Sequence, residues 1–284
     1  MSIINLKSIY SVAKKEFMDN LRNKWIIAMM IIFLLLTILA SYLAGGQAGG
    51  EDAFGGMEDT VVSLLSISSL LIPLIAIMLG YSTISGEAES GSLSIVLSYP
   101  VKRIEVLIGK LIGLGSVLIF STVVGFGVGG LIIAATVGVA EGIGYLWFIA
   151  LTIMLGLIYL SLSICISSFC KKRVTSIAGG VIIFFWAMIY GMIIFGILLA
   201  SGISYEEFLT PGFSYPDWLF QSIFFSPGDT YQMSVMQAFG LSQAFGFTIE
   251  APEYMSLGLL VFAQFIWLII PLILAYRFFK RRDI

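Results

Sequence analysis

Histidine is absent from all 284 residues. That excludes His-ligated metal sites, imidazole general bases and Ser-His hydrolase chemistry. Charge is scarce as well. Asp, Glu, Lys and Arg make up 11% of the chain, against about 25% in a soluble domain, too few to cover a soluble surface. There are two cysteines, Cys165 and Cys170, near the end of one apolar run. They read as two small apolar residues in a helix, not a disulfide framework. A nucleotide-binding loop is also missing. Walker A needs Gly, four residues, then Gly-Lys-Ser/Thr. The nearest approach, Gly109-Lys110, has Ile104 in place of the first glycine and Leu111 in place of the hydroxyl. Any ATP chemistry belongs to another chain.

What is present is apolar. Hydrophobic residues are 59% of the chain, with 30 glycines besides, and the mean hydropathy is +1.02. An integral membrane protein is the reading. A bilayer crossing takes about 20 helical residues, and six runs are long enough: 25–44, 61–81, 107–137, 145–169, 174–200 and 256–276. The first lacks a small-residue cleavage site and is not a signal peptide. Pro73 lies inside the second and favours a kink. The third is longer than a crossing needs, so it tilts, bends or begins outside the bilayer. No acid or base sits deep in a span. Lys110, at the start of the third, is placed to snorkel to the interface. Charge-free spans disfavour a carrier driven by protons or ions, which needs buried ionisable groups. Only carbonyl-lined ion sites would remain to it. Gly109 and Gly113, and Gly125 and Gly129, are spaced for close helix packing.

The polar segments alternate in sign. All 15 basic residues fall on one side with six acids; the other side carries 11 acids and no base. The acids of that second side include Glu51, Asp52, Glu58, Asp59, Glu141, Glu206, Glu207, Asp217, Asp229, Glu250 and Glu253. The positive-inside rule places both termini in the cytoplasm, and an even span count agrees. The basic side faces anionic lipid, and nothing suggests nucleic acid.

Four polar segments are candidates for function. In 5–22, Leu6, Tyr10, Ala13, Phe17 and Leu21 recur at three- and four-residue spacing. The pattern predicts an amphipathic helix in the inner interface. In 86–98, Ser85 suits the cap of a short surface helix, Glu87 and Glu89 suit its first turn, and Leu93, Val96 and Leu97 offer an apolar face. Pro100 ends it at Tyr99. An acidic start beside Ile95, Val96 and Leu97 suggests a contact surface. The external segment 201–255 holds Ser226-Pro227-Gly228-Asp229, a helix start with Ser226 as cap. Its helix is predicted to run to about Gln243, carrying Tyr231, Met233, Val235, Met236 and Phe239, and to lid a cavity or dip into the outer interface. Phe213, Tyr215, Trp218 and Phe224 read as interfacial. Met233 and Met236 at helical spacing read as packing and not as a soft-metal site. The turn Lys171-Lys172-Arg173 fixes topology and is a candidate lipid or partner contact.

These parts together resemble the permease subunits of type-2 ATP-binding-cassette (ABC) transporters. Within them the chain is similar to the NosY-like permeases of nitrous oxide reductase maturation. The likeness rests on 13–25, 79–113, 161–180, 224–233 and the basic tail 277–282, and 79–113 is the specific stretch. There Glu87, Gly91, Ser92, Leu93, Pro100, Lys102, Arg103, Gly109 and Lys110 occupy the family's pattern. Relatives usually carry a basic residue near 88 or 89, where this chain has Ala88 and Glu89. Ser226 stands where Asn is usual and preserves the cap.

The resemblance implies an all-α permease with 5–22 as elbow helix and 86–98 as coupling helix. Glu87, Glu89, Gly91, Leu93, Val96, Leu97 and Pro100 would couple to a cytoplasmic ABC ATPase. Lys102, Arg103, Lys110, Lys171, Lys172 and Arg173 would give basic contacts on the same face. Ser226, Pro227, Asp229 and Tyr231 would belong to an outer gate in a re-entrant or interfacial segment. ATP and Mg would bind the partner, and this chain would bind no cofactor. A second copy of the chain, membrane lipid and an external accessory protein are the other partners implied. Substrate stays open among lipids, polysaccharides, peptides, drugs and sodium. Two rival readings remain: a membrane component that passes ATPase strokes to an external protein, and a lone secondary carrier. An intramembrane enzyme would need buried catalytic groups that the spans lack.

Overall fold

The computed structural model describes residues 5–22, 24–48, 57–136, 138, 142–203, 215–240, 243–244, 247–248 and 252–282. Among these, six helices are long and apolar enough to cross a membrane. They are α2 (Lys24–Ala48), α3 (Met57–Gly80), α6 (Arg103–Thr136), α7 (Gly142–Phe169), α8 (Arg173–Ala200) and α11 (Leu257–Arg281). Before them lies α1 (Leu6–Leu21). Between α3 and α6 lie two short helices, α4 (Ser85–Glu89) and α5 (Ser92–Ser98). Between α8 and α11 lie α9 (Asp217–Ser222), a 3-10 turn (Ile223–Phe225) and α10 (Pro227–Phe239). A two-residue hairpin, β1 (Gln243–Ala244) with β2 (Phe247–Thr248), follows α10. Glu51, Asp52, Glu141, Glu206, Glu207, Phe213 and Glu250 of the sequence reading lie outside the described residues, as do the side chains of Glu58 and Asp59.

The spans match the apolar runs because hydropathy alone fixes a membrane helix. The differences fall at their ends. α6 begins at Arg103 rather than 107 and has 34 residues, about 51 Å of helix against about 30 Å of hydrocarbon. Its first two turns, with Glu105 and Lys110, extend the span on the basic side. α11 runs to Arg281, so Lys280 and Arg281 form its last turn.

α7 is the central helix. Its buried residues include Phe148, Leu155, Tyr159, Leu160 and Ile164, and α3, α6, α10 and α11 pack around it. Phe126 of α6 stacks on Phe33 of α2 at 4.8 Å and meets Phe148 edge-on at 5.3 Å. α8 is the least buried span.

The amphipathic helix forms at α1 with its inward face shifted: Ala13 and Phe17 of the predicted stripe pack inward. Ile9 and Ala13 are buried, while Leu6 and Tyr10 are exposed. The reason lies in α6, whose Gly109 and Gly113 open a groove for α1. A Cβ on Gly109 would come within 2.7 Å of the Val12 Cβ, and one on Gly113 within 2.7 Å of the Ala13 carbonyl oxygen. Gly125 and Gly129 admit Phe33 and Thr37 of α2 in the same way. Both glycine pairs thus serve the close packing that their spacing suggests.

Gly113→Val should force α1 off α6 and cost about 1–3 kcal/mol of stability. Gly196→Val, where a Cβ meets nothing within 4 Å, should stay within about 0.5 kcal/mol of wild type. Thermal melts of the detergent-solubilised protein check the difference.

Candidate functional site

Of the sequence-predicted residues on the basic side, Glu87 and Lys110 meet where α1, α4 and α6 come together, and the others are placed apart. Lys110 does not snorkel outward. It is 2% exposed, and its Nζ lies 2.7 Å from Glu16 Oε1 of α1 and 2.7 Å from Glu87 Oε1 of α4. The groove at Gly109 and Gly113 brings Glu16 over the lysine, and the two carboxylates hold it there. Glu87 therefore faces inward. Its second oxygen, Oε2, is buried without a protein partner. A cleft of about 380 Å³ adjoins the cluster, lined by Asn20, Ser82, Thr83, Ser90 and Arg173 among others.

Side chains borrowed from other helices satisfy the helix ends of this face. Glu105 Oε1 accepts the Asn5 N–H at 2.8 Å and Oε2 accepts the Lys102 N–H at 3.0 Å. One carboxylate thus joins the starts of α1 and α6, where the dipoles favour an anion. Ser167 of α7 accepts the N–H groups of Ile84 and Ser85, each at 3.0 Å. Ser167, not Ser85, therefore caps α4, and Ser85 is buried inside the helix. Glu89 Oε2 accepts the Arg173 N–H at 2.8 Å and caps α8, while the Arg173 guanidinium donates to Tyr81 Oη at 2.6 Å. Lys172 sits at the extended residue before α8, and Lys171 is exposed in the turn. Arg103 Nη1 donates to the carbonyls of Phe279, Lys280 and Arg282 at 2.7–2.9 Å. Arg282 donates in turn to those of Ser167, Ser168, Cys170 and Lys171 at 2.9–3.4 Å. Each arginine closes a helix C-terminus whose last carbonyls have no partner of their own.

The surface segment is two helices, not one. Gly91 at φ +76° takes the left-handed conformation that glycine adopts without strain and splits α4 from α5. The apolar face read from the sequence turns inward. Leu93 is buried, and Val96 and Leu97 are packed against the main core. Ile95 and Tyr99 point away instead, both 65% exposed, next to exposed Pro100. Their i, i+4 spacing was visible in the sequence, but which stripe of a seven-residue helix faces the bundle was not.

On the opposite side α10 starts as its sequence predicts. Ser226 Oγ accepts the Asp229 N–H at 3.3 Å, and Pro227 holds the first helical position and is buried. The helix ends at Phe239, short of Gln243, because Gly240 turns left-handed at φ +67°. Tyr231 is fully buried, with its hydroxyl 2.9 Å from both Ser68 of α3 and Thr152 of α7. Gln232 donates to Ser69 at 3.0 Å, and Gln264 of α11 donates to Ser234 at 2.8 Å. Tyr215, Ile223 and Phe224 pack with Phe220, Met233, Met255 and Leu260, so Met233 is a packing residue. The bonding partners Ser68, Thr152 and Gln264 carry no period or motif, and sequence reasoning passed them over. Asp229 faces a cavity of about 170 Å³ beside Ser66, Ser69 and Tyr159. Burial pushes its carboxyl above the usual range, opposed by the hydrogen bond from Ser226. Among the described residues no three His, Cys, Asp or Glu side chains converge to hold a metal ion.

Lys110→Met should destabilise the protein by about 1–3 kcal/mol, because it leaves two half-buried carboxylates facing each other without their cation. Adding Glu16→Gln and Glu87→Gln should recover most of that loss, read by thermal melts. Asp229 gives a pH test. Its folded pKa is raised, so the stability its proton confers is full below the unfolded value of about 4 and is lost as pH rises through the folded value. Asp229→Asn should thus melt higher than wild type at pH 7, and the difference should close as pH falls towards 4.

The comparisons with known proteins agree in family. The model of the family described as "ABC-2 family transporter protein" matches residues 10–284. A Pseudomonas aeruginosa protein named "Probable ABC transporter permease protein NosY" is 32% identical over 283 residues, covering 97% of this chain and 99% of the relative. A Stutzerimonas stutzeri protein of the same name is 30% identical over 287 residues, covering 98% and 99%. With six membrane-length helices and a family match over nearly all its length, the chain belongs to the ABC-2 family of membrane permeases and is related to the NosY-like permeases.

Proposed function

We propose that this chain couples ATP hydrolysis in a separate cytoplasmic ABC ATPase to movement of a substrate across the cell membrane. α1 acts as the elbow helix in the inner interface. α4 and α5 act as the coupling element, with both termini in the cytoplasm as the charge segregation requires. ATP and Mg belong to the partner. Two copies pair across the path, and α8, the least buried span, is free to meet the second.

One observation carries the reading. The α4–α5 segment is held at its root by Lys110, Ser167 and the Glu89–Arg173 contact, yet it turns Ile95 and Tyr99 away from its own bundle. A rigid mount with a free apolar tip suits docking into a groove of a moving subunit. On this reading Pro100 of the sequence-based contact set touches the ATPase together with Ile95 and Tyr99, while Glu87, Leu93, Val96 and Leu97 of that set hold the mount. By reciprocity, nucleotide state and permease conformation then bias one another. Ser226, Pro227, Asp229 and Tyr231 form the outer gate in a re-entrant segment.

A second reading draws on the path of α3. It runs from Ser68, at the Tyr231 contact, to the turn that enters α4. A stroke applied at α4 therefore reaches the outer segment, where it could act on an external protein with no solute carried. ATP turnover that proceeds normally without solute flux would favour this version.

Ile95→Glu with Tyr99→Glu should reduce ATPase recovered with the affinity-purified chain by at least about tenfold, as for loss of central apolar anchors. Membrane insertion and melting temperature should not change. Full ATPase recovery with the double variant would overturn the assigned contact.

A further inference from the structure

The basic end of α11 carries two kinds of cation. The guanidinium groups of Arg103 and Arg282 are engaged by backbone carbonyls, as above. Arg277, Lys280 and Arg281 of α11 and Lys171 of the turn before α8 are exposed. Among the described residues their side chains make no ion pair or hydrogen bond. Topology needs positive charge on this side, but it does not need the charge to sit where it does.

Two open clefts flank these side chains. One, of about 480 Å³, includes Ser168, Phe169, Lys171, Phe278, Arg281 and Arg282 in its lining. The other, of about 650 Å³, is lined by Leu274, Arg277, Phe278, Lys280 and Arg281. Phe278 and Arg281 belong to both, and among the described residues no acid lines either. Leu274, Arg277, Phe278 and Arg281 recur at three- and four-residue spacing, so they form one strip of α11. Towards the bilayer the strip continues into exposed Ile270 and Ile273. Phe169 of α7, itself exposed, meets Phe278 edge-on at 5.1 Å and makes an apolar floor between the clefts. The gradient is thus hydrocarbon, then aromatic, then unpaired cation. A phospholipid has the complementary gradient, and a phosphate diester accepts the forked donors of arginine.

We propose that the clefts around Phe278 and Arg281 bind an anionic phospholipid of the adjoining leaflet. Arg277, Arg281 and Lys171 hold its phosphate and charged headgroup. Leu274, Phe278 and Phe169 carry the upper acyl chains. The apolar strip running into the span commits the site to a membrane lipid over a soluble anion, which would need no acyl path. The wall formed by Ala88 and Ser94 places the headgroup against α4 and α5. The proposal rests on the membrane-spanning architecture and stands apart from the ATPase reading.

Native mass spectrometry of the full chain in detergent tests it, with phosphatidylglycerol as ligand and phosphatidylcholine as neutral comparison. Wild type should retain phosphatidylglycerol and not phosphatidylcholine. Arg277→Gln with Arg281→Gln should weaken retention about fivefold for each charge removed. Phe278→Ala, which changes no charge, should also reduce it. Lys14→Gln with Lys15→Gln, an equal charge loss on exposed residues of α1, should not. Equal retention of both lipids, or equal loss in the two charge variants, would overturn the proposal. So would displacement of phosphatidylglycerol by millimolar inorganic phosphate, since that would mark a simple anion site. If the α11 double variant fails to insert, Phe278→Ala alone decides, and unchanged retention there sinks the site.

Discussion

An ammonium group cannot be taken out of water at tolerable cost without anionic partners, and Lys110 draws two of them from separate helices. Glu16 comes from α1 and Glu87 from α4, each at 2.7 Å. The rest of the basic face depends on this cluster. With α1 seated in the glycine groove of α6, it ties α1 to α4, turns the acidic start of α4 inward, and so decides which side of α5 is left to the outside. Removing one member of such a cluster costs far more than removing all its charge, because the penalty lies in the partner left behind.

Around that cluster the helix ends serve as connectors. Glu105 joins the starts of α1 and α6, Ser167 caps α4, Arg103 closes α11, and Arg282 closes α7. Each end has backbone groups that its own helix cannot satisfy. Satisfying them from a neighbour converts a local requirement into a tertiary restraint. The basic face is therefore a single plate to which α4 and α5 are fixed.

The other side is held by neutral hydrogen bonds. Tyr231 meets Ser68 and Thr152, Gln232 meets Ser69, and Gln264 meets Ser234. A typical bond of this kind contributes about 0.5–1.5 kcal/mol net, against about 1–3 kcal/mol for leaving the two carboxylates without Lys110. The two sides thus differ in what rearrangement costs. The ion-paired plate resists change, and the outer contacts can be exchanged one at a time. This asymmetry is what the proposed coupling would use, with the drive at one face and the opening at the other.

The sequence by itself determined the six spans, the segregation of charge, the helix of 5–22, the Ser226-Pro227 start of α10, and the use of Gly109, Gly113, Gly125 and Gly129 for close packing. These are local or one-dimensional properties, since hydropathy over 20 residues and spacing along one helix need no partner. Tertiary structure alone decided the fate of Lys110, the inward turn of Glu87 and Leu93, the outward turn of Ile95 and Tyr99, and the matching of Arg103 and Arg282 to the ends of other helices. The arginine pairings join residues more than a hundred positions apart, such as Arg103 with Phe279 and Arg282 with Cys170. A charged or polar side chain near a helix end is compatible with water, lipid headgroup or a neighbouring carbonyl. The crossing of the helices selects among them, and periodicity along one chain carries no record of that crossing.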